Sequence, residues 1–417
     1  MRTRVFTSVL ALLASAACSA SAATTARDPA LSGPDELVYV ASADGPAVVD
    51  MRNGRTVFRA EGAVPQADWS ALFTTTADAG GTALRTLDPA SGRVTGDVPL
   101  RGSLSIRAVA DDGTKVALMA PPPPGTDPWT PVPRSRTTIV VADPSGTTGP
   151  ETYHLRGNLE PEAFSNDGEH LFVIQYLPPQ APSLYRVSEL ELEDGDVYPV
   201  VGRKKTWTRR MPGIRLEQLL SPDQRQLYTL YSSQPATYAE GYDDPQATSG
   251  GPVAFVHILN LQDRWAFCLP LPRRLWGAPA GEQAMASSSD GSRLFVVDPS
   301  RDTVAVIDAE STEVKETATV DFGTQDRTHA AAAVSPDGST LYVGTGDAVV
   351  ALDAATLSVR FRWPMRTPVA SLSTSVDGAL LYVAHVDGIG LLDPSTGTVQ
   401  GSIPIVATTI QHVASAT

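Results

Sequence analysis

The chain has 417 residues, with 46 acidic against 32 basic side chains and a formal charge of −14; loss of Arg2 and Arg4 with an export leader brings it to about −16. A surface so charged repels nucleic-acid phosphates, and 42% hydrophobic residues exclude wholesale disorder. Glycine (33) and proline (34) are abundant, aromatics are only 6%, and two cysteines cannot build a disulfide scaffold, so a turn-rich all-β chain is expected.

The first element is an export signal. Arg2 and Arg4 precede an apolar run from Val5 to Ala17 that ends in small residues and is too short to span a bilayer. Residues 1–17 are therefore expected to be a signal peptide and 18–33, rich in Ala, Thr, Ser and Pro, a flexible tether. Ser15-Ala-Ala-Cys18 resembles a bacterial lipobox, which would make Cys18 the lipidated N-terminus of an exported, membrane-anchored protein. The rival is cleavage after Ala20-Ser21-Ala22 and release of a soluble chain. Cys268, in Trp265-Ala-Phe-Cys-Leu269, is expected to be a buried small apolar residue rather than a reactive thiol.

From residue 34 to 417 one unit recurs. Its clearest copies are Val334-Ser-Pro-Asp-Gly-Ser-Thr-Leu-Tyr-Val343, Ser288-Ser-Asp-Gly-Ser-Arg-Leu-Phe-Val296 and Ser375-Val-Asp-Gly-Ala-Leu-Leu-Tyr-Val383. Each sets an Asp-Gly turn between two short apolar runs, the pattern of a β-hairpin. A second turn follows an apolar run ending in Asp, as in Leu87-Asp-Pro-Ala-Ser-Gly92 and Leu391-Leu-Asp-Pro-Ser-Thr396. Four strands in about 40 to 65 residues make the blade of a β-propeller. These residues resemble YVTN-type propeller repeats, a likeness that implies fold and hardly any activity. Counting second strands, from Leu37-Val-Tyr-Val40 to Leu380-Leu-Tyr-Val383, gives eight blades; seven remain if the Asp68-Trp69 unit merges with a neighbour. The first unit lacks an inner strand and Thr408–Ser415 lacks a hairpin, so the N- and C-terminal strands are expected to pair and close the ring.

Loops between second and third strands lie on the same face as the linkers between blades. Three neighbouring units carry insertions there: Pro121–Arg136, Leu177–Pro182, and Ser232–Gly251 with Tyr238, Glu240, Tyr242, Asp243 and Asp244. They would either bind or simply be solvated. Arginine recurs in the linkers: Arg101, Arg156, Arg203, Arg209, Arg210, Arg273, Arg274, Arg327 and Arg366, with Lys204, Lys205, Trp207 and Trp276 beside them. Arg101, Arg156, Trp207, Arg210, Arg273, Trp276, Arg327, His329 and Arg366 are the candidate ligand-binding residues. Guanidinium groups around a concave mouth hold carboxylate, phosphate or sulfate groups, and indole faces hold a sugar or flat ring. The alternative is that each arginine pairs with an acid on the adjoining blade, such as Glu160, Glu162, Glu217 or Glu282.

His329 and His412 could face the channel or serve as hydrogen-bonded core or rim residues. No histidine or cysteine has metal spacing, Asp243-Asp244 with Glu240 lacks the alternation of a calcium loop, and no nucleophile elbow or phosphate-binding glycine loop occurs. No catalytic residue, metal or cofactor is therefore expected. Val350-Ala-Leu-Asp-Ala-Ala-Thr356 is similar to a quinoprotein dehydrogenase repeat, but an adjacent cysteine pair is missing. The sequence thus reads as a monomeric binding or scaffolding propeller of the bacterial cell envelope. Its expected partner is an envelope protein, an anionic glycan or a small anion, with no nucleic acid and no membrane contact beyond the lipid. The alternative is a lactonase-like or sugar-acid-acting enzyme in the channel.

Overall fold

The computed structural model describes residues 33–416 except 43–44, 79, 125, 127–130, 183, 204–210, 212–213, 236–251, 279–280, 324–328 and 406. Its described strands run from β1 (Glu36–Ser42) to β33 (Ala407–Ser415), and all but one belong to eight four-stranded antiparallel blades. The innermost strands are β4 (Val64–Pro65), β8 (Ser105–Val109), β12 (Asn158–Phe164), β17 (Ile214–Leu220), β21 (Ala284–Ser287), β25 (Ala331–Val334), β29 (Ser371–Thr374) and β33. The odd strand, β16 (Val201–Gly202), adds in parallel to the outer edge of blade five at β20 (Trp265–Pro270).

The two chain ends share one sheet. β33 pairs with β1 from Glu36 opposite Ser415 to Ser42 opposite Ala407, with Tyr39 opposite His412. Eight blades are thus present, and the Asp68-Trp69 unit is the second of them. Alternation of apolar side chains along the strands sends successive residues to opposite seams: Val38 and Val40 pack on blade eight with Tyr382 and Ile389, while Tyr39 packs on blade two with Leu72 and Leu87. Eight buried apolar clusters result, one for each seam of the ring. The closing seam also holds Glu36, which accepts the Tyr382 hydroxyl (2.5 Å) and the Val376 amide (2.8 Å).

The repeated Ser-x-Asp-Gly stretch is a turn lock. Ser335 Oγ donates to Asp337 (2.5 Å) and accepts the Thr340 amide (2.9 Å), while Asp337 accepts the Ser339 amide (3.0 Å). Gly338 supplies the left-handed φ of +70° that this turn needs. The same serine–aspartate pairing recurs at Ser165, Ser221, Ser288 and Ser375. The motif therefore serves the fold, and its turns lie on the face opposite the insertions.

Candidate functional site

The insertions of blades three and four are built into the rim. Asn158, at the start of β12 and fully buried, donates from Nδ2 to Val132 O (2.8 Å) and Pro179 O (3.3 Å), tying one insertion to the other. The Arg134 amide donates to Pro179 O (3.0 Å). The Arg134 guanidinium turns inward to Glu160 of β12 (3.3 Å), whose other oxygen accepts the Tyr176 hydroxyl (3.3 Å). These loops are anchored to an innermost strand rather than hung in solvent. The third insertion lies mostly outside the described residues, Tyr238, Glu240, Tyr242, Asp243 and Asp244 included.

The linker residues spread around this face. Arg101 ends β7 (Val94–Arg101) and Arg156 ends β11 (Glu151–Arg156), both outermost strands, and both side chains are exposed. Arg156 stands opposite Arg136 in the strand pair, so two guanidinium-bearing residues adjoin there. Arg366 and His329 are exposed in the linkers before blades eight and seven. Arg273 lies over the Trp276 ring at 5.4 Å, and the indole Nε1 donates to Leu271 O (2.7 Å), so these two candidates are brought together. Arg274 donates to Thr319 Oγ1. Arg203 serves the scaffold: it lies over Trp265 (5.2 Å) and donates to Glu310 O and Ser311 O (2.8 Å each) of blade six. Cys18, Trp207, Arg210 and Arg327 lie outside the described residues, as do Lys204, Lys205 and Arg209.

The four acids weighed as partners for these arginines are engaged elsewhere. Glu160 takes Arg134, Glu162 takes Arg215 (3.1 Å), Glu217 accepts the Met285 amide (2.7 Å), and Glu282 accepts Ser300 (2.9 Å) with Arg301 at 3.7 Å. Among the described residues Arg101, Arg156 and Arg366 have no acid within ion-pair distance.

Behind the rim the channel opens into a cavity of about 930 Å³. Its wall is mostly small and neutral, as at Ala284, Ala332, Ser371 and Thr409, and Glu217 is the one ionisable group among its described lining residues. A bulge between Arg215 and Glu217 explains the arrangement. The extra residue shifts the side-chain alternation, so Arg215 and Gln218 both turn to Glu162 of blade four while Glu217 turns to blade six. Burial pushes the Glu217 carboxyl up to about 7 against the opposing pull of the Met285 amide. Burial also raises Glu162, offset by Arg215, whose own pKa is raised chiefly by the Glu162 charge. Of these residues the sequence offered only Glu162 and Glu217, as possible partners for linker arginines, and it gave no sign of Arg215 or Gln218, because bulges leave no sequence mark.

On the opposite face His412 stacks on Trp69 at 4.3 Å and borders a smaller cavity of about 330 Å³ with Tyr39. Burial lowers its pKa to about 4, so the ring is neutral at physiological pH. Asp167, Glu169 and His170 gather within 4.8 Å of one another. Both His170 nitrogens are committed, Nδ1 to Glu189 (2.9 Å) and Nε2 to Arg264, which leaves no lone pair for a metal.

No protein-family model matches the chain, and no curated protein matches it in sequence. Among solved structures it is similar to the apo form of AztD from Citrobacter koseri, at 13% identity and a TM-score of 0.52, over 89% of this chain and 95% of that one. It is also similar to Kuenenia stuttgartiensis hydrazine synthase (14% identity, TM-score 0.46, 89% and 99% of the two chains). The periplasmic gluconolactonase PpgL of Pseudomonas aeruginosa gives 19% identity and a TM-score of 0.41 over 82% and 98%. At such identities the likeness extends to the fold alone: this chain is an eight-bladed β-propeller.

Proposed function

We propose that the protein is an exported binding propeller, lipid-anchored through Cys18, that recognises an anionic glycan or an acidic envelope partner on its insertion-bearing face. The Ser-x-Asp-Gly turns are read as YVTN-type repeats. The observation that carries the binding reading is the stitching of two insertions to β12 through Asn158 and Arg134. Solvated, tolerated loops need no such anchors, whereas a recognition surface gains affinity when its loops are ordered beforehand. The exposed Arg101, Arg156 and Arg366 supply positive charge on that face of an otherwise acidic molecule. Charge of this kind steers an anionic partner and is screened by salt.

The test is retention on immobilised heparin, a generic sulfated glycan, at low ionic strength. The chain carrying Arg101→Ala, Arg156→Ala and Arg366→Ala is expected to elute at lower salt than the parent; identical elution removes the reading. A second reading, an enzyme acting on a lactone or sugar acid in the channel, rests on Glu217, whose pKa near neutrality suits a general acid or base. Hydrolysis of gluconolactone above the spontaneous rate, lost in Glu217→Gln, would support it, and a rate equal to buffer would dismiss it.

A further inference from the structure

The seam between blades four and five gathers three side chains of soft or borderline metal ligands. His257 lies on β19 (Pro252–Asn260) and Cys268 on β20, and the two are direct Cα partners across that antiparallel pair. Directly opposed residues project to the same side of a sheet, with Cβ atoms about 5 Å apart. Here that side faces blade four, because Phe255, Leu259 and Ala266, two residues away along each strand, pack there with Phe172, Ile174 and Val187. Met211 reaches the same cluster from the linker, held by two backbone hydrogen bonds with Tyr185 (2.6 and 2.8 Å). Its thioether sulfur lies 3.4 Å from Cys268 Sγ.

Two features distinguish this trio from ordinary core packing. His257 is 3% exposed, yet its Nε2 has no hydrogen-bond partner. A buried polar atom in that state is costly to retain unless something else satisfies it. Cys268, in contrast, is half-buried rather than sealed in as its apolar surroundings suggested, because it lies on the outermost antiparallel strand of the blade. The trio therefore lies toward the outer edge of the seam rather than deep in the ring.

We propose that Met211, His257 and Cys268 form a site for a single Cu(I) ion. A thiolate, a thioether and an imidazole match a soft ion, while Ca(II) and Mg(II) demand oxygen ligands and Zn(II) sites are built without methionine. On binding, the Cys268 S–H bond breaks, an S–Cu bond forms and the proton leaves to solvent; no electron is transferred. The site is separate from the insertion-bearing face and stands whether or not that face binds anions.

The experiment uses the chain with Cys18→Ser, which leaves Cys268 as the one thiol, under anaerobic conditions with Cu(I) supplied in competition with bicinchoninate. One equivalent is expected to be retained. Cys268→Ser should abolish retention, and the volume-conserving Met211→Leu should weaken affinity by at least the roughly tenfold that loss of a mere outer-shell partner costs. X-ray absorption of the loaded parent, which needs no variant to fold, should show sulfur and imidazole nitrogen around copper. No retained copper, full retention in either folded variant, an oxygen-only shell, or Zn(II) held as tightly would each overturn the assignment.

Discussion

Loss of the C-terminal strand should unfold the whole ring rather than fray one edge. Ile410, 7% exposed, packs among Val38, Val40, Tyr382 and Ile403, and its amide donates to Ser371 Oγ (3.1 Å). Truncation to alanine in such a cluster costs about 3 kcal/mol. In a ring of this length that lowers the melting temperature by about 4 °C. Deleting residues 410–417 also removes the pairing from Val40 opposite Ile410 to Glu36 opposite Ser415. Some five ladder hydrogen bonds at about 1 kcal/mol each then join the side-chain loss. The total, roughly 8 kcal/mol, is comparable with the entire folding free energy of a domain. It also bares an edge of β1 that invites aggregation. Thermal unfolding followed by circular dichroism, with size-exclusion chromatography, reads both effects. Val386→Ala, at a valine 62% exposed, is the control and should change stability by less than about 0.5 kcal/mol. A deleted chain that melts within a degree of the parent and stays monomeric would refute the closure argument.

Three further outcomes follow from the buried and hydrogen-bonded carboxyl and amide groups. Glu217 has its folded pKa raised from 4.5 to about 7, so ionising it opposes folding: the penalty is absent below pH 4.5 and complete above 7. Urea titrations of Glu217→Gln should therefore show a gain over the parent of roughly 3 kcal/mol at pH 8 that vanishes near pH 4. Asn158→Ala should cost about 1–3 kcal/mol and speed hydrogen exchange at 131–135 and 177–182, since both insertions lose their shared anchor. The turn aspartates behave oppositely to Glu217: serine hydroxyl and amide hydrogen bonds lower Asp290 to about 2 and also depress Asp337 and Asp377. Their contribution is present above the ordinary carboxylate pKa and lost as pH falls toward 2, so acid titration should unfold the ring cooperatively, and Asp337→Asn should flatten that limb.

What was legible in the sequence depended on how local its cause was. The Asp-Gly turns and alternating apolar runs are set by neighbouring residues, and they located every second strand and the pairing of the N- and C-terminal strands. The insertions were legible for the same reason, as composition between strands. The wall of the channel was not. Arg215, Gln218 and Glu162 meet because of bulges in two inner strands, and a bulge is decided by packing across blades. Arg203 looked like another linker arginine, but β16 diverts that linker along the outer edge of blade five, where the side chain grips blade six. The trio of Met211, His257 and Cys268 is drawn from three separate stretches, so only the seam between blades brings it together.

Hydrogen–deuterium exchange of the full chain, with and without a heparin oligosaccharide at low salt, decides whether the insertion-bearing face is the binding surface. Binding on that face protects 131–135, 177–182 and the linkers that follow Arg101 and Arg156. Protection confined to the opposite face, at the turns of 113–115, 143–149 and 191–193, or no protection at any peptide, would contradict it.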